Sequence, residues 1–424
     1  MSSPLLPVLA LLVCVASPLR ADRPEGDQGP GSDRGNAPES TPDFSGDEGS
    51  TVATPPLKWK YGWKDGRRAN TIGSVRGNDP MPAVSAPPST GYSPAQIAAA
   101  YGFNRISSLG DGRGQTIAIV VAYGSRNIQS DLNGFCSAYG ITNTTVSVSY
   151  PQGSPSVVDS GWALETTLDV EWAHAMAPAA RIALVVAKDN SIANLLGAVK
   201  YATSTKVKAT VVSMSWGAGE FSTERNYDSN FSASGVSYVA ASGDTKAVVS
   251  WPAVSTNVVA VGGTSLKYDS TTGTVSSETV WSDLSTTSGS GGGVSRFIQV
   301  PSYQVGFNNN SGRGNPDVSY VADPYTGVQV YFTDPSTSAG GWYVVGGTSA
   351  GAPQWAALLA RRASLGNAGT TRFNVKAYGA AKTAYATYFR DIVSGSTGFP
   401  AVNGYDLATG LGSPLADQVV TIAK

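Results

Sequence analysis

Ser349 stands in Gly346-Gly347-Thr348-Ser349-Ala350-Gly351-Ala352-Pro353, directly after the apolar stretch Trp342 to Val345. A strand that passes two glycines into a helix with an early proline sets a serine hydroxyl at a helix N-terminus. There free amides and the macrodipole favour developing negative charge. A serine so placed is a candidate nucleophile, and it needs a base to take its proton.

The chain has one histidine, His174. Gly347-x-Ser349-x-Gly351 matches a nucleophile elbow, but that arrangement requires the histidine to follow the serine, and none does. A subtilisin-type triad could use His174 with an upstream aspartate. The strand where that aspartate would sit, Ile117 to Tyr123, has no acid. The third possibility is a carboxylate. Ser160 to Pro178 reads as one helix ended by the proline, with Glu165 and Asp169 at i and i+4 on a shared face. An acidic pair at this spacing is more often solvated, but Trp162, Leu164, Leu168, Trp172 and Met176 make this helix apolar. Enclosing two carboxyls together raises one pKa, which turns a carboxylate into a usable proton acceptor. His174 lies roughly 140° around the helix from Asp169, so it reads as a packed core residue.

The elements that must position these groups follow from the apolar runs. Thr116–Ala122, Arg181–Ala187, Ala209–Ser215, Val236–Ala241 and Val258–Val261 are short and apolar on both faces, and helical stretches such as Ile192–Ala202 separate them. That pattern predicts an α/β fold, a mainly parallel sheet with helices on both faces. Ligands in such sheets bind beyond the carboxyl ends of the strands. Ser215-Trp216-Gly217, Ser242-Gly243-Asp244 and Ser349 all fall just past apolar strands. Trp216 and the glycines at 291 to 293 are expected to line the cleft.

Length and composition set the outer limits. The 424 residues are 41% hydrophobic and 14% charged, with net charge −1. A polyanionic partner has nothing to bind, so nucleic acid is not expected. Residues 1–21 read as a secretory signal peptide, with the apolar run Leu5 to Ala16 too short to span a membrane. The mature protein is then expected to be secreted, with no membrane association and as a monomer. Its sole remaining cysteine, Cys136, reads as a buried structural thiol rather than a nucleophile. Residues 22–90 read as a low-complexity extension or short pro-region. Within it, Leu57 to Trp63 alternates aromatics and lysines and fits a peripheral strand. Ser93 caps a helix with Pro94 at its first position, and the main domain is placed at 91–424.

Taken together, the motifs resemble the sedolisin family, the serine-carboxyl peptidases. Gly347-Thr348-Ser349-Ala350-x-x-Pro353 is similar to the family's nucleophile motif, and Glu165-x-x-x-Asp169 to its base segment. Ala241-Ser242-Gly243-Asp244 is similar to the segment bearing the oxyanion aspartate. Gly291-Gly292-Gly293-x-Ser295 and Arg313-x-x-Pro316-Asp317-Val318-Ser319 match further blocks, and Arg390-Asp391-Ile392 with Gly404-Tyr405-Asp406 resembles the calcium loop. The resemblance implies a subtilisin-like fold and a secreted endopeptidase acting on proteins or peptides in acid. Ser349 would form an acyl-enzyme, Glu165 would be the general base, Asp169 would orient it, and a protonated Asp244 would donate to the oxyanion. One structural Ca²⁺ would be held by Asp391 and Asp406 with carbonyls of Ile392, Val402 and Gly404. The competing readings are a subtilisin-like peptidase using His174 and a secreted non-catalytic binding protein on the same fold.

Overall fold

The computed structural model describes residues 58–62 and 367 as backbone and residues 86–366 and 372–423 in full. The signal-peptide reading and most of the low-complexity extension lie outside the described residues. In chain order the elements begin β1 (Lys58–Gly62), α1 (Pro94–Tyr101), β2 (Thr116–Ala122), α2 (Ile128–Tyr139), β3 (Ser147–Ser149) and α3 (Ser160–Met176). Next come β4 (Arg181–Ala187), α4 (Ile192–Ala202), β5 (Val211–Met214), β6 (Ala218–Gly219), β7 (Ser237–Ala241), β8 (Ser250–Trp251) and β9 (Val258–Asp269). Then follow β10 (Thr274–Val280), β11 (Gly293–Gln299), β12 (Gly312–Asn315), β13 (Val318–Val321), β14 (Val328–Thr333) and β15 (Gly340–Gly346). The site is completed by α5 (Gly351–Arg362) and α6 (Phe373–Tyr388).

The central sheet has the order β10-β9-β7-β5-β2-β4-β3, with β13 also pairing β9. All of its pairs are parallel except β10 with β9. Strands β2, β5 and β7 are buried along their whole length. The apolar runs are therefore continuous rather than alternating, because helices cover both faces. Burial extends to α3 and α5, where nearly every residue is enclosed. Such a helix has no polar face, so any acid on it is buried wherever it points.

A second sheet, in the order β1-β15-β14, leads into the serine loop. Residues 58–62 add to β15 as an antiparallel strand, with Lys58 opposite Gly346 and Trp59 opposite Val345. α1 starts with a capping box in which Ser93 and Gln96 satisfy each other's orphan groups, and Pro94 stands at its first position.

Candidate active site

Three chain segments meet at the carboxyl edge of the sheet. The first is α3. The Asp159 carboxylate caps it, accepting from the Trp162 amide at 2.9 Å. Thr166 and Thr167 donate back to the carbonyls of Trp162 (2.7 Å) and Ala163 (2.9 Å), so their buried hydroxyls are satisfied within the helix. Glu165 and Asp169 are fully buried on one side of this helix.

The second segment runs from β15 to α5. Gly346 packs against the next loop so closely that a Cβ would lie 2.4 Å from the Ala322 carbonyl oxygen and 2.4 Å from the Pro324 nitrogen. Gly347 adopts φ 108°, a left-handed conformation that suits glycine. Ser349 follows within a single 3₁₀ turn, Thr348–Ala350, and α5 starts only at Gly351. The serine thus stands two residues ahead of the helix rather than in its first turn. The third segment follows β7, where Gly243, at φ 107°, turns the chain into Asp244. Asp244 Oδ1 accepts from both the Thr348 amide (2.8 Å) and the Thr348 hydroxyl (2.9 Å). That hydroxyl in turn accepts from the Gly243 amide at 3.1 Å. Asp244 and the residue before Ser349 are therefore locked together.

Burial dominates the electrostatics. The Glu165 carboxyl is held well above the usual carboxylate range, first by desolvation and next by the charge of Asp169. The Ser349 hydroxyl works against that shift, the Asp244 charge adds to it, and the Ser215 hydroxyl opposes it. Asp169 is also raised by burial, opposed by Ser215, whose hydroxyl donates to Asp169 Oδ1 at 2.7 Å. Among the described residues, neither Glu165 carboxyl oxygen nor Ser349 Oγ makes a hydrogen bond of good geometry. The serine hydroxyl is nevertheless near enough to stabilise the Glu165 charge. A buried acceptor and a buried donor left open beside each other are costly for folding alone.

The structure brings Ser349, Glu165, Asp169 and Asp244 into one cluster and sends His174 elsewhere. The His174 ring is fully buried, its Nε2 lies 2.8 Å from the Thr142 carbonyl oxygen, and burial lowers its pKa. Cys136 is buried too, with its thiol pushed up to about 12 by burial, so it is no nucleophile. Trp216 corrects an expectation. Its indole is fully buried and donates to the Val120 carbonyl at 3.0 Å, so it supports the cleft from below instead of lining it. Gly291 does meet the site, its amide donating to the Gly243 carbonyl at 2.7 Å. Two residues that sequence reasoning left without a role are Ser215 and Thr348. Both are hydroxyls directly flanking recognised positions, and only their tertiary partners reveal them.

The five residues expected at a metal lie in the 391–406 loop. Among the described residues no group of three or more His, Cys, Asp or Glu side chains could hold an ion, so any site here must draw on backbone oxygens. The Tyr385 hydroxyl lies 3.1 Å from Asp391 Oδ1, 3.3 Å from the Gly404 carbonyl and 3.0 Å from the Leu411 carbonyl. One phenolic proton cannot serve three acceptors. That surplus of oxygens around Asp391 and Gly404 is a donor set suited to a hard cation. Asp406 is held differently: it accepts from the amides of Ala408 (2.8 Å), Thr409 (2.8 Å) and Val402 (3.3 Å). Asp391 Oδ2 accepts from the Gly404 amide at 2.9 Å, which leaves Asp391 Oδ1 and the Gly404 carbonyl as the oxygens gathered around Tyr385. Val402 presents its amide, not its carbonyl, to Asp406.

A mostly parallel sheet with the serine turn at its carboxyl edge is the architecture of subtilisin-like proteins. Residues 159–398 match the Subtilase family (Peptidase S8), more than half of the chain. Kumamolisin of Bacillus sp. (strain MN-32) is 35% identical over 374 residues, covering 78% of this chain and 63% of the relative. Sedolisin of Pseudomonas sp. (strain 101) is 35% identical over 181 residues, 42% of this chain and 29% of the relative. The chain thus spans less than two thirds of the length of these curated relatives. The structure of Pseudomonas sedolisin, a serine-carboxyl proteinase complexed with two molecules of pseudo-iodotyrostatin, superposes with a TM-score of 0.67 at 26% identity. It covers 78% of this chain and 97% of that one. The chain belongs to the subtilase family and, within it, to the sedolisins.

Proposed function

We propose that this chain is a secreted serine-carboxyl endopeptidase that hydrolyses peptide bonds in acid through an acyl-enzyme on Ser349. One observation carries the reading: the buried Ser349 hydroxyl and the buried Glu165 carboxyl, each without a hydrogen bond of good geometry, lie side by side. Ser349 Oγ attacks the substrate carbonyl carbon as its proton passes to Glu165, and the carbonyl oxygen becomes an oxyanion. Asp244 Oδ1 is committed to Thr348, so a proton on this carboxyl sits on Oδ2, from which it donates to the oxyanion. Collapse of the tetrahedral intermediate breaks the C–N bond, and Glu165 returns its proton to the leaving amine. Water then repeats the sequence and frees the acid. Asp169 shares the proton with Glu165, and Ser215 orients Asp169. In acid a histidine is already protonated, whereas two carboxyls that share one proton still present an ionised oxygen to act as base.

The test pairs Ser349→Ala with a pH profile. The variant folds and loses turnover by at least roughly 10⁴-fold, and wild-type kcat/KM peaks in acid and fades before neutrality. Cleavage retained by the variant removes the nucleophile, and activity rising to a neutral plateau removes the carboxylate base.

The same reading assigns one structural Ca²⁺ to the 391–406 loop, held by Asp391 and Asp406 with carbonyls of Ile392, Val402 and Gly404. The oxygens crowded around Tyr385 support the assignment. When bound, the ion ties the loop and takes no part in the chemistry. Metal analysis should find about one calcium per chain, and chelation should lower Tm by several degrees, because a ligand of the folded state alone stabilises it. An unchanged Tm would assign the hub to the Tyr385 phenol instead. Residues 1–21 are proposed as the export signal, residues 22–90 as the extension or pro-region and residues 91–424 as the peptidase domain, with proteins or peptides as substrates.

A further inference from the structure

We infer that Thr348 is a positioning residue whose hydroxyl sets how far toward neutral pH the reaction runs. The inference deepens the peptidase reading and rests on it. Three contacts hold Thr348 in one pose. Its hydroxyl oxygen accepts from the Gly243 amide at 3.1 Å, which occupies a lone pair and leaves the hydroxyl proton to Asp244 Oδ1, 2.9 Å away. Its methyl is seated on β9, where a Cβ at Gly263 would lie 3.4 Å from Thr348 Cγ2. A β-branched side chain with methyl and hydroxyl both engaged keeps one χ1 rotamer. The Thr348 amide adds a second donation to Asp244 Oδ1, at 2.8 Å. Thr348 is fully buried, so bulk water does not compete for these bonds. The loop around Asp244 has anchors of its own. The Gly291 amide donates to the Gly243 carbonyl at 2.7 Å, and the Gly289 amide donates to the Asp244 carbonyl at 3.2 Å. Loss of the Thr348 hydroxyl therefore falls on the Asp244 carboxyl before it falls on the backbone.

Two donors on one carboxyl oxygen have opposite consequences for the proposed chemistry. They fix the orientation of the carboxyl, which favours rate while Asp244 is neutral. They also stabilise the ionised form more than the neutral one, because hydrogen bonds to a charged acceptor are the stronger. An ionised Asp244 cannot donate to the oxyanion and repels it. The hydroxyl thus raises the rate in acid and shortens the range over which that rate is held. The charged neighbours act otherwise. Glu165 faces Asp244 from α3, and the two charges disfavour each other. Lys246, on the same segment as Asp244, gives its ammonium to the Asp283 carbonyl at 2.8 Å. On the 281–288 loop the Asp283 carboxylate accepts from the Ser285 amide (2.9 Å) and hydroxyl (2.7 Å).

Thr348→Val keeps the shape and the methyl and removes the hydroxyl, while Thr348→Ser keeps the hydroxyl and removes the methyl. The pH profiles of kcat and kcat/KM are recorded for both variants and wild type on one peptide, with Tm beside them. Thr348→Val should lower kcat at its optimum roughly 10–100-fold with KM within about twofold. Its neutral-side limb should move up by about one pH unit. The variant is then slower at its best and active further toward neutrality. Thr348→Ser should stay within about fivefold of wild type with the limb in place. A limb unmoved in Thr348→Val overturns the inference, whether kcat/KM falls evenly because the hydroxyl only packs the turn or kcat falls because it meets the oxyanion itself. A limb that moves equally in Thr348→Ser overturns it too, since the hydroxyl is still there. Thr348→Ala gives the same readout if valine against the Gly243 amide prevents folding. A wild type that cleaves nothing removes the peptidase reading and this inference with it, whereas normal cleavage with an unmoved limb removes the inference alone.

Discussion

Two sides of α3 each enclose a pair of carboxyl groups, and they differ in what they face. Glu165 and Asp169 face the hydroxyls of Ser349 and Ser215. Glu171 lies roughly 200° around the helix from Asp169 and faces the edge of β14, where Glu171 Oε2 accepts from the Tyr331 amide at 3.1 Å. Its companion there is Asp131 of α2, whose Oδ2 accepts from the Thr333 amide at 3.1 Å. Both pairs are buried, and burial is the first cause of the raised pKa in each. A raised pKa is therefore no mark of catalysis by itself. Backbone amides cannot leave their strand, so the Asp131–Glu171 pair is an anchor for β14. A serine hydroxyl can give up its proton, so the Glu165–Asp169 pair can do chemistry.

The sharpest way to break this comparison is to neutralise one acid on each side. Glu165→Gln keeps the shape and removes the base, so kcat should fall roughly 10³–10⁴-fold with little change in Tm. Glu171→Gln keeps an acceptor for the Tyr331 amide and should leave kcat within about threefold, at a stability cost of about 1 kcal/mol in acid, where the wild-type carboxyl is protonated in both states. The pH profile of kcat/KM separates the two. Only the Glu165 variant should lose its shape. If Glu171→Gln also moved the acidic limb, the two pairs would titrate as one system and the division of labour would fail.

The same contrast explains what could be read in advance. Glu165 and Asp169 were legible because two acids at helical spacing on an apolar helix have few uses. Glu171 is as buried and as near in sequence, but its partner is an edge amide some 160 residues away. No local pattern carries that information. The apolar run Val258–Val261 stops at Gly262 and Gly263, whereas β9 continues to Asp269. Those glycines answer to packing: a Cβ at Gly262 would lie 2.6 Å from Pro316 Cγ, and one at Gly263 would lie 2.7 Å from Ala322 Cβ. Trp216 differs from the expectation for a related reason. Its place after an apolar strand was visible, but not that its ring turns inward against Trp251. The parallel core was legible from continuous apolar runs, while the small sheet of β14 and β15 that delivers Ser349 depends on pairing that no run of residues announces.

A gentler substitution sharpens the comparison through stability. The Asp131 carboxyl is pushed up to about 7, with desolvation as the first cause and the Thr333 contacts opposing it. A carboxyl with a raised folded-state pKa holds its proton more tightly folded than unfolded. Its contribution is complete below the unfolded value near 4, and it is lost as pH rises from there to about 7. The loss reaches at most about 4 kcal/mol for this one group. Asp131→Asn keeps an oxygen for the Thr333 amide and removes the titration. Denaturant unfolding at pH 4 should scarcely change, while at pH 7 the variant should be more stable than wild type by about 1–3 kcal/mol. Its kcat/KM profile should overlay that of wild type, because the anchor is not the base. A wild-type slope between pH 4 and 7 retained in the variant would mean that Asp131 is already ionised in the folded protein. The pH dependence of stability would then belong to the other buried carboxyls, Glu165, Asp169 and Glu171 among them.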